Sequence, residues 1–387
     1  MIVSRAPESA RHLLHVFPSF AMGGSQARLI MLINNFGPQY RHSVISLNND
    51  YSAAALLDHA TVAGSADAPS AAGGLVSRLR RYRSRISELV PELLLTYNWG
   101  AIEYAMANLP QLVTHIHVED GFGPQEAQVR LARRSLLRWA VLRANHSTLV
   151  VPSQSLLDIA RNEWRIPKRN TIRISNGVVA SKYRRADLRG RASKYARTAD
   201  ELVVGVVCGL RPEKALHRLI DAIALARHCH LLRLVIVGGG ELEGALKAHC
   251  QVNDYEQWVD FLGFVADPAP VYAELDIFAL SSITEQLPIS IIEAMFSGLA
   301  IASTDVGDIR TTLPPQQHGL LCGQDTNALA IALQTLAGSA HLRQSLARAN
   351  AARAHEAFSA EPMFAAWDAV FRCGSGNING AAPVDPR

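Results

Sequence analysis

The feature that most constrains this chain is an alternation repeated twice. Short apolar runs of strand length are each followed by a segment with apolar residues at helical spacing. In the first half the runs are 12–17 (HLLHVF), 43–47, 92–96 (ELLLT), 112–118 (LVTHIHV), 149–151 and 171–174. In the second they are 202–207, 232–237, 259–264, 277–280 and 299–303. Between them lie helical stretches such as 26–36, 216–226, 288–296 and 328–337. Strands that alternate with helices join through crossovers, which specifies parallel sheets covered on both faces. A doubly wound α/β domain therefore occurs twice, with a polar, basic stretch from Val178 to Asp200 read as the linker. A last helix is expected over 361–371, and the Gly/Asn/Pro-rich tail 374–387 reads as disordered.

Composition excludes several classes. Of 387 residues, 49% are apolar and only 19% charged, which rules out a disordered chain. No apolar run reaches the roughly 18 residues of a membrane span, and the first twelve residues lack the charged-then-apolar order of a secretory signal. The five cysteines, Cys208, Cys229, Cys250, Cys322 and Cys373, include no C-x-x-C pair. A zinc site or disulfide framework is not expected, and a cytoplasmic location is. The net charge of +4 is unevenly divided: residues 1–180 carry +7 and residues 181–387 carry −3. Two domains with different partners follow from that division.

The densest candidate site is 284–295, TEQLPISIIEAM, with Glu285 and Glu293 eight residues apart. Glu285 falls in a strand-to-helix loop, where open α/β sheets bind ligands. Pro288 suits a helix start, whose exposed amides favour a phosphate. An ionised glutamate accepts from a hydroxyl pair such as a ribose diol or a sugar. On spacing alone, an exposed loop glutamate and a satisfied helix glutamate account for the pair equally well.

The flanking residues narrow the choice. Gly209-Leu210-Arg211-Pro212-Glu213-Lys214, the 234–240 segment LVIVGGG, Val259-Asp260-Phe261-Leu262-Gly263, Asp276–Ser282 and the turn Asn176-Gly177-Val178 recur with TEQLPISIIEAM in one order. Together they resemble the retaining glycosyltransferases of family GT4, over residues 12–372 and most strongly over 202–310. The resemblance implies a GT-B fold: two Rossmann-like doubly wound α/β domains facing a central cleft. It sets an acceptor-side domain at 1–180, a donor domain at 181–360, and a helix, 361–373, crossing back to the first domain.

By the same resemblance, Arg211 and Lys214 stabilise a leaving nucleotide diphosphate, although in isolation they read more readily as a solvated loop pair. Glu285 contacts the donor sugar and Glu293 the ribose. Leu287, Pro288 and Ile289 line the phosphate side, and Gly239 turns beside the base. Gly23 and Gly24, after the first strand, let amides approach a phosphate, or make an ordinary turn. His117, in H-x-E-x-G with Glu119 and Gly121, is the N-domain histidine facing the sugar, with His115 in reserve. His117 and Glu285 are the catalytic candidates. No metal and no cofactor is expected beyond the nucleotide-diphosphate-sugar donor, and the chain has no D-x-D pair.

The chain departs from the family pattern at Val179, at Asp308-Ile309-Arg310 and at Gln26. The acceptor expected is a glycan or a lipid-linked molecule, in bacterial surface polysaccharide synthesis. Arg78–Arg85 and Arg130–Arg143 concentrate the positive charge. They read either as basic amphipathic helices for an anionic membrane, making the protein peripheral, or as solvated faces over buried ones. Nucleic acid is not an expected partner. A nucleotide-sugar epimerase and a non-catalytic nucleotide-sugar-binding protein remain as alternatives. A nicotinamide enzyme lacks its G-x-G-x-x-G fingerprint here.

Overall fold

A computed structural model describes residues 2–4, 9–58, 62–65, 72–122, 126, 131–183 and 200–374. Gly123, Pro124, Arg130, most of the linker (184–199) and the tail from 375 lie outside the described residues. The chain divides into two compact units, residues 1–175 with 362–385, and residues 176–361 with 386–387.

The first unit holds an eight-stranded sheet. Its strands are β1 (Ile2–Ser4), β2 (Arg11–Phe17), β3 (Tyr40–Ser46), β4 (Val62–Ser65), β5 (Leu93–Tyr97), β6 (Thr114–Val118), β7 (Thr148–Val151) and β8 (Thr171–Arg173), in the order β4-β1-β3-β2-β5-β6-β7-β8. From β3 to β8 every pairing is parallel. The sheet is not wholly parallel, because β1 runs antiparallel to both β3 and β4. Neither β1 nor β4 was expected from sequence. They are three and four residues long, so backbone pairing at a sheet edge defines them rather than an apolar run.

The second unit holds six parallel strands: β9 (Leu202–Val207), β10 (Leu232–Val237), β11 (Val259–Gly263), β12 (Ile277–Leu280), β13 (Ala300–Thr304) and β14 (Leu321–Cys322). Their order is β11-β10-β9-β12-β13-β14. Counted within the unit this is 3-2-1-4-5-6, the doubly wound order whose direction reverses between its first and fourth strands. The strand interiors are continuous apolar runs, such as LVVGVV in β9, as burial on both faces requires.

The unit boundary falls at Ser175/Asn176, a few residues before the expected 180. Val178 is not linker: it bridges to Ser359 in parallel, its N–H donates to the Phe358 carbonyl (2.9 Å), and its own carbonyl accepts from the Ala360 N–H (3.1 Å). The last helix, Ala360–Cys373, belongs to the first unit from Pro362 onward. Its Met363, Trp367, Val370 and Phe371 pack with Leu13, Phe17, Leu93 and Leu95. Each such buried side chain contributes about 1.5–3 kcal/mol.

Candidate functional site

The reversal of winding in the second unit places two loops side by side. One follows β9, runs through Cys208–Arg211 into the 3-10 turn Pro212–Lys214, and enters helix Leu216–Ala226. The other follows β12, carries Ser281–Pro288, and enters helix Ile289–Phe296. The loops are tied directly: the Ile283 N–H donates to the Glu213 carbonyl (2.8 Å), and Ser281 Oγ donates to the Lys214 and Ala215 carbonyls (2.9 and 3.1 Å).

That tie brings Lys214 onto Glu285. Lys214 Nζ donates to Glu285 Oε1 at 2.5 Å, and Ser282 Oγ donates to the same oxygen at 2.7 Å. Burial would lower the Lys214 ammonium, but the Glu285 carboxylate reverses the balance and holds it above its ordinary value. Arg211 stands exposed at the edge of the same loop. Gly307, at φ +57, closes the site from β13: a Cβ there would lie 2.0 Å from the Glu285 carbonyl oxygen. The Asp308 N–H donates to the Gln286 carbonyl (3.0 Å), so the TDVGD segment shapes the Glu285 loop despite its departure from the family pattern.

Helix Ile289–Phe296 starts one residue later than expected, with Pro288 in the position preceding it. Leu287 is buried, and its carbonyl accepts from Asn176 Nδ2 (2.8 Å), which links the N-G-V turn to the site. Glu293 lies in the middle of the helix. Tyr183 OH donates to Oε1 (2.7 Å) and Tyr272 OH to Oε2 (2.8 Å). Burial pushes the Glu293 carboxyl above its usual range, and the two tyrosine hydrogen bonds oppose that push. The sequence reading missed both tyrosines and Ser282. Tyr183 was legible only as an aromatic residue in a polar linker. Gly239 is exposed, and its carbonyl accepts from the Leu210 N–H (3.0 Å). Beside it, Gly238 at φ +135 has no room for a Cβ, which would meet the Cys208 oxygen at 1.8 Å. The glycine run thus packs on the Arg211 loop.

In the first unit, Gly23 and Gly24 open helix Gly24–Phe36 after β2; Gly23 is extended and no side chain caps the helix. The first-turn amides therefore lack a protein side-chain acceptor. Arg28 on this helix forms a two-point pair with Asp120 (2.6 and 2.8 Å). His117, next to last in β6, is fully buried. Its Nδ1 is hydrogen-bonded to Thr96 Oγ1 (2.8 Å), and its Nε2 lies 3.5 Å from Glu119 Oε2. His115 shares Thr96 Oγ1 (2.8 Å) and bonds Ser147 Oγ (2.6 Å).

The arginine-rich segments need correction. Arg138 is 1% exposed, sandwiched between Trp99 and Trp164 (4.9 and 4.6 Å to the ring centroids), and paired with Glu119 and Glu126. Arg134 pairs with Glu126 as well. In helix Leu75–Leu89, Arg78 clasps Glu103 and Arg83 Nη1 donates to the Ala107 and Leu109 carbonyls. Arg138 is turned inward by these contacts, while Arg78 and Arg83 are held by partners on neighbouring segments. The outward arc of helix Ala132–Ala144 is Arg133, Leu136, Trp139, Ala140 and Arg143. Among the described residues no helix is long and apolar enough to cross a membrane, and no cluster of three or more His, Cys, Asp or Glu could hold a metal.

This geometry is similar to that of known proteins. Residues 201–339 match the family "Glycosyl transferases group 1". The D-inositol 3-phosphate glycosyltransferase of Rhodococcus jostii is 26% identical over 279 residues, 68% of this chain and 59% of that protein. The amylovoran biosynthesis glycosyltransferase AmsK of Erwinia amylovora is 29% identical over 163 residues, 33% of this chain and 40% of that protein. The matched segments span 26% to 59% of the curated relatives' own lengths. Among solved structures, Anabaena HepE in complex with UDP-glucose superposes with a TM-score of 0.78 at 19% identity, covering 93% of this chain and 99% of that one. With its reversing six-stranded sheet and the Lys214–Glu285 pair at the reversal, the 201–339 segment resembles the glycosyl transferases group 1 family, and the chain has the GT-B fold.

Proposed function

We propose that the protein is a glycosyltransferase that moves a sugar from a nucleotide-diphosphate sugar to a glycan or lipid-linked acceptor, with retention of anomeric configuration. The observation that carries this reading is the contact of Lys214 with Glu285 where the second sheet reverses. Open α/β sheets bind ligands outside the strand ends at such a point. A nucleotide diphosphate leaves with growing negative charge, and Arg211 and Lys214 are cations on one loop that can meet it without a metal. Glu285 then has its second oxygen for a sugar hydroxyl, and Glu293, held by two tyrosines, faces the ribose. Leu287, Pro288 and Ile289 bring the helix start to the phosphates. In the first unit, Gly23 and Gly24 offer amides, and His117 offers a ring nitrogen to the sugar.

UDP is the favoured donor base, since HepE is described with UDP and with UDP-glucose. Bacterial surface polysaccharide synthesis is the favoured setting, from the likeness to the amylovoran enzyme. The arc Arg133, Leu136, Trp139 and Arg143 suits a peripheral, cytoplasmic-leaflet location near a lipid-linked acceptor.

The test is transfer by the purified protein across UDP-, GDP- and ADP-sugars with mixed glycan and lipid-linked acceptors, with and without chelator. Donor-dependent product that is lost in Lys214→Ala and Glu285→Ala supports the reading. Donor turnover without any acceptor would replace it with an epimerase. Nucleotide-sugar binding with no turnover in either assay would replace it with a binding protein.

A further inference from the structure

Four polar side chains in the first unit form one buried chain of hydrogen bonds. Ser147 Oγ lies 2.6 Å from His115 Nδ1, His115 Nε2 lies 2.8 Å from Thr96 Oγ1, and Thr96 Oγ1 lies 2.8 Å from His117 Nδ1. None of the four is more than 2% exposed. The strand register builds the chain: Thr96 of β5 pairs with His117 of β6, and His115 stands two residues earlier on the same face of β6. At the far end, Glu119 Oε2 lies 3.5 Å from His117 Nε2 and accepts from Arg138 Nε at 3.0 Å.

A threonine hydroxyl has one proton to donate. When both imidazoles are neutral, Thr96 must donate to one ring and accept from the other, so the tautomers of His115 and His117 are linked. Burial keeps His115 well below its ordinary pKa and hence neutral. Two arrangements satisfy the chain. If Thr96 donates to His115, His117 carries its proton on Nδ1 and turns a bare Nε2 lone pair toward the Glu119 carboxylate, which is repulsive. If Thr96 donates to His117 Nδ1, His115 donates from Nε2, Ser147 donates to His115 Nδ1, and His117 presents Nε2–H toward the carboxylate. At 3.5 Å that contact is an electrostatic bias rather than a formed hydrogen bond. His117 Nε2 has no hydrogen-bond partner and is buried.

We propose that the protein locks His117 in the Nε2–H tautomer, with Ser147, His115 and Thr96 as positioning residues on one side and the Arg138-paired Glu119 carboxylate on the other. His117 is thereby fixed as an N–H donor, suited to an oxygen of a ligand rather than to proton abstraction. The catalytic consequence rests on the reading of His117 as a contact of the donor sugar; the tautomer itself does not.

The experiment is two-bond 1H–15N correlation spectroscopy of the full-length, histidine-labelled protein, with the His117 pattern assigned by its loss in His117→Gln. The expected pattern has a pyridine-like Nδ1 and a pyrrole-like Nε2. Thr96→Val should abolish that pattern and Thr96→Ser should keep it. In transfer assays Thr96→Val should lower kcat about tenfold with the donor KM within about twofold, the scale of one hydrogen bond in the transition state, and Thr96→Ser should restore it. Ser147→Ala, which removes the far end of the chain, gives a second route to the same spectral change if Thr96→Val does not fold. A proton on Nδ1, protons on both nitrogens at neutral pH, or a His117 pattern unmoved by both variants overturns the lock. An altered tautomer with unchanged turnover upholds the lock and removes His117 from the reaction.

Discussion

Lys214 and Glu285 lie 71 residues apart in the chain, yet their side chains meet at 2.5 Å because the loops after β9 and β12 are stitched together by Ser281 and Ile283. The pair is partly shielded, with 20% and 9% of the side chains exposed. A charge contact that keeps a carboxylate and an ammonium poised at a sheet edge serves ligand binding better than it serves stability. Lys214→Met and Glu285→Gln are each expected to cut transfer about 100- to 1000-fold, the range for losing one electrostatic contact to a developing charge. The double variant should lose less than the product of the two. Far-UV circular dichroism should stay unchanged. Additive losses in the cycle would show that the two residues act apart.

Glu293 carries a cost in stability. Its carboxyl is pushed upward by burial, so the folded protein holds a proton there more readily than the unfolded chain. The charged form at neutral pH therefore subtracts from stability, and that subtraction grows as pH rises above the ordinary carboxylate range. Glu293→Gln is expected to leave the denaturation midpoint at pH 7 equal or higher, while raising the donor KM about tenfold. A lower midpoint with normal KM would assign Glu293 a purely structural role.

A histidine cluster sets the acid limit of the first unit. Burial and Arg41 bring His12 down to about 4, and burial with His12 brings His42 down to about 3. His15, bonded to His42 (2.9 Å) and to Tyr97 OH (3.0 Å), is held well below its ordinary value by burial first and by both histidines next. The unfolded chain takes up protons near pH 6.5, where the folded cluster does not. Stability is therefore complete above about pH 6.5 and is lost as pH falls toward 4. Each histidine adds about 1.4 kcal/mol per pH unit in that window. Urea denaturation of His42→Gln between pH 7 and 5 should show a slope shallower by about that amount; an unchanged slope would exclude His42 from the effect.

Arg138 is a structural cation with two buried carboxylates to neutralise, Glu119 and Glu126. Arg138→Ala leaves both without it and is expected to cost about 3–5 kcal/mol. Arg133→Ala, on the outward arc, should change stability by less than about 0.5 kcal/mol. If the arc meets a membrane, Arg133→Ala with Arg143→Ala should weaken sedimentation with vesicles containing anionic lipid, while neutral vesicles distinguish nothing between the proteins. Equal sedimentation of both proteins with anionic vesicles would remove that role.

The fold class was legible in the amino-acid order, since alternating apolar runs and helical spacing follow directly from the periods of strand and helix. So were the two loops that carry Arg211, Lys214 and Glu285, because their residue types and order are local. Whatever depends on register or on distant partners emerged only from the folded arrangement. That arrangement added β1 and β4, which are too short to leave an apolar signature. It moved the unit boundary to Ser175, where Asn176 and Val178 find partners more than a hundred residues away. It clamped Glu293 between Tyr183 and Tyr272, and it turned Arg138 inward between two tryptophans. Helical spacing can place an arginine on a face, but whether that face meets water or a buried carboxylate depends on which other element packs against it. That information is spread over the whole chain and exists at no single position in it.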